Sequence, residues 1–286
     1  MFAMLGQCLL CFIAGANIEP FLYYPKQKIK KINRYLCLSN QEKMLLAVDI
    51  GNTKIKAAVF EGDALISKFT FDKNEAAEET EKIFKKHRAI THSILASVGK
   101  EEEKLFLLLT EKTQMLEVDR DFVFPFQNKY GTPETLGIDR MVLAAGAVLR
   151  FPGRHRLVID AGTCVTYDFI DCSNAYLGGA ISPGLQMRFN AMHTFTAKLP
   201  LLYPEMPESF IGSSTTTSMN SGAVNGLAFE LEGFIERYVE QYQDVMIILT
   251  GGDADFLAKP LKSTIFANSN FLLESLNLLY LYTNRK

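Results

Sequence analysis

Three aspartates stand among residue types suited to phosphate chemistry. Asp49 closes an apolar run and is followed by Ile50, Gly51, Asn52, Thr53, Lys54, Ile55 and Lys56. Asp160 closes a second apolar run and is followed by Ala161, Gly162 and Thr163. Asp139 lies between them, beside Arg140, in LGIDR (136–140). A carboxylate at a strand end supplies a hard oxygen for a metal ion or its water shell. Glycine beside it lets backbone approach a ligand and adopt positive φ. Asn52, Thr53 and Thr163 add donors next to turn amides, and clustered N–H groups make a nest for phosphate oxygens. Lys54 and Lys56 place positive charge at the first turn. Ordinary β-hairpin chemistry produces one such turn; two copies, each entered from an apolar strand, favour the phosphate reading.

The elements that must carry these residues repeat. Residues 45–60 read LLAVDIGNTKIKAAVF and residues 157–169 read LVIDAGTCVTYDF. Both are a β-rich run ending in Asp, a glycine turn, and a second β-rich run. The repeat predicts two related halves facing one another. A third glycine turn, Gly251-Gly252-Asp253-Ala254, follows a strand at 245–250, an arrangement that lets a nucleotide lie against backbone.

From Leu136 the chain is apolar at helical spacing, which puts Asp139 and Arg140 near a helix start. Backbone amides there face an anionic ligand, and a carboxylate can accept a proton from an attacking hydroxyl. An Asp that caps the helix and an Arg in a surface ion pair fit the same residues. Ser213 to Thr217 read as a helix N-cap before a long periodic stretch at 219–242. The coarse order is a hairpin, a helix near 74–87, a strand near 92–98, a helix near 101–113, a strand, a long loop and a helix. The second hairpin then begins a similar course, with a long helix near 218–241. Alternating strands and helices predict an α/β fold. Phe151-Pro152-Gly153 breaks the helix and divides the chain into domains at 44–152 and 153–286, with the final helix packing back on the first half.

Composition sets the limits. The chain has 286 residues, 48% hydrophobic and 22% charged, with net charge −2. This is an ordinary globular balance without the basic surplus of a nucleic-acid binder. Residues 1–43 alone carry a balance of +4, which marks them as an extension outside the fold. A membrane anchor is the alternative there, but Gly6, Gln7, Gly15 and Asn17 interrupt its apolar run. The five cysteines (Cys8, Cys11, Cys37, Cys164, Cys172) form no framework and suit a reducing compartment. Cys164 and Cys172 fall within the second strand pair. No histidines show metal-ligand spacing.

Taken together, DIGNTKIK (49–56), YGTPETLGIDR (130–140), DAGTCVTYD (160–168), GGAISPGL (178–185), IGSSTTTSMNSG (211–222) and TGGDA (250–254) resemble, in order, the motifs of type III pantothenate kinases. That family belongs to the acetate and sugar kinase, heat-shock chaperone and actin superfamily. The resemblance runs from Met44 nearly to the C-terminus. It implies two actin-like (ribonuclease H-like) domains around a nucleotide cleft and a cytoplasmic homodimer. It also implies transfer of the ATP γ-phosphate to pantothenate, with Mg²⁺ and a monovalent cation, K⁺ or NH₄⁺. No nucleic-acid partner or stable membrane association is expected. By the same resemblance Asp139 is the general base. Asp49, Ile50, Gly51, Asn52, Thr53, Lys54, Ile55, Lys56 and Thr163 contact ATP. Tyr130, Gly137, Ile138, Asp139, Arg140 and Thr215 contact pantothenate, and Asp160 ligates the monovalent cation. The run before Thr215 departs from the family pattern, with Ser213-Ser214 where Lys-Asn is common. Two rival classes share the scaffold: a non-catalytic regulator, since fold does not fix function, and a phosphohydrolase without a pantothenate requirement.

Overall fold

A computed structural model describes residues 44–51, 53–97 and 102–284. The extension expected over 1–43, its anchor alternative, Cys8, Cys11, Cys37 and the nucleotide contact Asn52 lie outside the described residues.

The first apolar runs form an antiparallel meander of β1 (Met44–Ile50), β2 (Ile55–Glu61) and β3 (Ala64–Phe71). Almost every residue of β1 is buried, as expected of a central strand covered on both faces. Two helical crossovers follow, α1 (Ala76–Lys86) and α2 (Glu103–Lys112). Helix α1 buries Ala76, Thr80 and Ile83 at three- and four-residue spacing, the stripe of an amphipathic helix. The crossovers deliver β4 (Ile90–Ser97) parallel to β1 and β5 (Gln114–Val118) parallel to β4. The sheet order is β3-β2-β1-β4-β5.

The second sheet repeats that plan. Strands β7 (His155–Ala161), β8 (Cys164–Ile170) and β9 (Ala175–Pro183) form the meander. Strands β10 (Val245–Thr250) and β11 (Phe266–Ala267) add in parallel beside β7. Read from the meander's outer strand, the order is β9-β8-β7-β10-β11, the same as in the first sheet. The two-residue strand β6 (Gln127–Asn128) extends this sheet beyond β9. The expected pair of actin-like halves is therefore present as a duplicated strand order. Cys172 lies outside the strand pair expected for it. Asp171 Oδ1 accepts the Ser173 and Ala175 amides, which turns the chain as β8 ends.

Helices α3 (Ile138–Arg150) and α8 (Phe271–Thr283) lie against each other. A Cβ on Gly146 would sit 1.8 Å from Ser275 Oγ, so glycine is what permits their close approach. Their core takes in Leu45, Ala47 and Phe60 from the first sheet and Val158, Ile170 and Ile248 from the second. The final helix thus packs on the first half, touching β1, β2 and β4. The outer face of the second sheet is covered by α6 (Gly226–Gln241) through Leu227, Leu231 and Ile235. Before α6 come α4 (Leu185–Thr194), α5 (Thr215–Asn220) and one π-helical turn (Ser221–Asn225). The short helix α7 (Ala254–Leu257) follows β10.

Candidate active site

Asp49 and Asp160 reach equivalent places because each lies at the end of its half's first strand, ahead of a glycine turn. In each turn the glycine amide donates to a carbonyl on the far side: Gly51 to Lys54 at 3.2 Å in the longer first turn, and Gly162 to Cys164 at 2.9 Å in the tighter second. Two further glycines let neighbouring backbone wedge against the second turn. A Cβ on Gly184 would meet the Gly162 carbonyl oxygen at 2.1 Å. A Cβ on Gly251 would meet Asp160 Oδ1 at 2.4 Å, and Gly251 also holds φ at +100°. The third turn is pinned to the second by the Asp253 amide, which donates to the Ala161 carbonyl at 3.0 Å.

The acids act on one another. Burial pushes Asp49 up to about 7; Lys56 opposes the rise, and the charges of Asp139 and Asp160 add to it. Burial pushes Asp160 up to about 6, again opposed by Lys56 and reinforced by Asp139 and Asp168. Burial also raises Asp253, with Lys56 opposing. The charge of Asp139 thus bears on both strand-end acids, and Lys56 opposes the rise at each of them. Lys56 faces Asp49 directly across the β1–β2 ladder. It also lines a cavity of about 320 Å³ together with Asp160, Thr250, Gly251 and Gly252.

Asp139 is the second residue of α3, but it does not cap the helix. Gly137 holds the cap position, and Asp139 Oδ1 accepts the Arg140 amide at 2.8 Å. Arg140 forms no surface ion pair either. It is 7% exposed; its Nε donates to Asp168 Oδ1 at 2.8 Å, and its Nη2 forms an ion pair with the same oxygen at 2.7 Å. The same oxygen accepts the Tyr176 hydroxyl at 2.5 Å, and Asp168 Oδ2 accepts the Thr166 hydroxyl at 3.1 Å. Tyr130 lies under the guanidinium, with its ring centroid 5.6 Å from Arg140 Cζ, and meets Tyr176 edge-on. Gly178, at φ +103°, leaves room for that ring: a Cβ there would lie 3.1 Å from Tyr130 Cδ2. One edge of the Arg140 fork is thus committed to Asp168, and a side-chain hydrogen bond with Tyr130 also holds the guanidinium.

The other expected residues divide by position. Ile50, Ile55 and Ile138 are buried in the core, so only their backbone is available to a ligand. Gly137 lies so close to the base that a Cβ would meet Asp139 Oδ1 at 2.3 Å. Thr53 and Thr163 are exposed at their turns. Lys54 turns outward, its ammonium 2.6 Å from Asp72. Thr215 is the exposed first residue of α5, whose cap is a Ser214–Thr217 capping box. No hydrogen bond or ion pair among the described residues joins Thr215 to the acid cluster. Asp168 and Tyr176 were missed by the sequence reading. The signal for Asp168 was an acid inside an otherwise apolar strand, within a quoted motif.

A model of the type III pantothenate kinase family matches residues 45–237. A type III pantothenate kinase of Flavobacterium johnsoniae is 55% identical over 239 residues, covering 84% of this chain and 98% of that protein. A Bacteroides fragilis protein of the same name is 38% identical over 242 residues, covering 84% and 99%. Among solved structures, a Baf family protein from Campylobacter jejuni superposes with a TM-score of 0.55 at 19% identity, covering 84% of this chain and all of that one.

Proposed function

The chain belongs to the type III pantothenate kinase family, and from that premise we propose that it transfers the γ-phosphate of ATP to pantothenate. The product is 4′-phosphopantothenate, and the reaction is the first step of coenzyme A biosynthesis. What supports carrying this assignment to the site is that Asp49 and Asp160 each stand at a strand end ahead of a glycine turn and that the charge of Asp139 acts on both.

Phosphoryl transfer asks a protein mainly for positioning and charge neutralisation. Asp139 takes the proton of the attacking hydroxyl; it sits where α3 starts, with Oδ1 steadied by the Arg140 amide. Arg140 directs its guanidinium to the pantothenate carboxylate, and Tyr130 backs it. The 49–56 turn and Thr163 hold the ATP phosphates through backbone amides and Lys56. Thr215 completes the pantothenate contacts. The two halves, 44–152 and 153–286, act as the walls of the cleft.

The donor set suits hard cations. Burial raises Asp49 and Asp160, and both feel the charges of Asp139 and Lys56. Asp160 would hold the monovalent cation, K⁺ or NH₄⁺, and Asp49 would face Mg²⁺ or its water shell. When bound, these ions neutralise charge on the transferring phosphate.

The working state we propose is a cytoplasmic homodimer. Phe195, Tyr203, Phe210, Ile211 and Phe229 expose 61–85% of their surface in the second half, more apolar area than single surface residues require. No helix among the described residues is long and apolar enough to cross a membrane. The testing experiment is ADP release with and without pantothenate, for the wild type and Asp139→Asn. Turnover that depends on pantothenate and falls at least about 100-fold in the variant, with ATP binding retained, is expected. Nucleotide hydrolysis indifferent to pantothenate would point to the phosphohydrolase, and binding without turnover to the regulator.

A further inference from the structure

Lys68 lies on the edge strand β3, outside every motif of the sequence, yet the fold turns it into the cleft. Directly paired residues in a sheet share a face. The pairs Asp49–Lys56, Lys56–Thr70 and Ala58–Lys68 therefore set Asp49, Lys56, Thr70 and Lys68 on one face of the first sheet. Lys56 and Lys68 both line the cavity of about 320 Å³, across from Gly251 and Gly252. Asp255 lines the same cavity.

The partner of Lys68 is unusual for a lysine. Its Nζ donates to Asn270 Oδ1 at 2.7 Å, a neutral acceptor reached from the other half of the chain. Among the described residues no carboxylate forms an ion pair with it; the contrast is Lys54, which Asp72 holds outside the cavity. The charge of Lys68 thus faces the cavity without an anion of its own. Asn270 makes no side-chain cap bond to α8; the Asn268 side chain accepts the Asn270 amide ahead of the helix, which leaves Asn270 Oδ1 to Lys68. A phosphate oxygen offers Lys68 a charged acceptor in place of this neutral one.

We propose that Lys68 is a nucleotide-binding residue that contacts a phosphate oxygen of ATP, with Asn270 holding it in position toward the cavity. This rests on the nucleotide reading of the cleft given above. The experiment is calorimetric titration of the full chain with ATP, inorganic tripolyphosphate and adenosine, for the wild type, Lys68→Gln and Lys68→Arg. Lys68→Gln is expected to weaken ATP and tripolyphosphate about tenfold, the usual scale of one hydrogen bond to a charged group. Adenosine should be unaffected, and Lys68→Arg should restore most of the loss. In turnover, the KM for ATP should rise by the same factor while the KM for pantothenate stays constant. Asn270→Asp, which gives Lys68 a carboxylate to pair with, should also weaken tripolyphosphate. An unchanged ATP affinity in Lys68→Gln, or an equal loss for adenosine, overturns the proposal and leaves the kinase reading standing. A wild type that binds neither ATP nor tripolyphosphate overturns both.

Discussion

Replacing Asp168 with Ala should destabilise the folded chain by about 3–5 kcal/mol, the usual cost of removing one partner of a buried ion pair. The structure supplies each part of that cost. Asp168 is fully buried, accepts three hydrogen bonds, one each from Arg140, Tyr176 and Thr166, and forms an ion pair with Arg140. Without it, a guanidinium that is only 7% exposed keeps its charge with no carboxylate beside it, and two hydroxyls lose their acceptor. In a folding unit of this size the loss corresponds to a fall in Tm of roughly 6–20 °C. Removing both members tests the cause. Arg140→Met combined with Asp168→Leu leaves no uncompensated charge, so the double variant should be more stable than Asp168→Ala. Urea unfolding followed by circular dichroism at neutral pH measures all three proteins. A loss below about 1 kcal/mol for Asp168→Ala, or a double variant less stable than the single one, would refute the account of this pair. Activity is no guide here, because Arg140 belongs to the proposed substrate site.

Two further outcomes follow from the acid cluster and its glycine neighbour. Asp49 and Asp160 have native values of about 7 and about 6, above the ordinary 3.8. The folded chain therefore holds more protons than the unfolded chain between roughly pH 4 and 7. The contribution of these acids to stability is full below that window, declines through it, and is flat above it. Thermal melts across the window should show this fall in the wild type and a shallower one in Asp49→Asn; an identical slope in the two proteins would contradict the assignment. Gly137→Ala keeps an allowed backbone, at φ −62°, but places a methyl 2.3 Å from the present position of Asp139 Oδ1. The carboxylate must move, so kcat should fall about 100-fold with Tm and the KM for ATP little changed; an unchanged kcat would show that the position of Asp139 is not critical.

The sequence carried the features that depend on short range. Apolar runs ending in Asp-x-Gly marked β1 and β7 correctly, and their similarity announced a duplication that the matching strand orders display. The strand at 245–250 and its glycine turn were also plain. Contacts made by distant segments were not. An acid in β8 looks the same whether it meets solvent or a guanidinium, and only the arrival of α3 buries Asp168 against Arg140. Nothing in the residues around Lys68 marks it; its setting depends on Asn270, 202 positions away, coming within reach. Strand β6 has two residues and no periodicity to detect. The single periodic stretch expected over 219–242 is interrupted by a π-helical turn, a local change of hydrogen-bonding that residue type does not reveal.

The duplication also sets the charge balance of the site. In the first half, the residue across from the strand-end Asp is Lys56; at the same register in the second half it is Thr166. Thr166 gives its hydroxyl to Asp168 and brings no charge. One lysine therefore tempers Asp49, Asp160 and Asp253 together. A second lysine at 166 would have balanced the acids in place, but it would also have competed with Arg140 for Asp168. As built, the hollow keeps excess negative charge, and a polyphosphate entering it alone would be repelled. Lys68 on the neighbouring strand offsets part of that repulsion, and the hard cations proposed above would offset the rest. The charge of the hollow thus follows from which cross-strand residue each half carries.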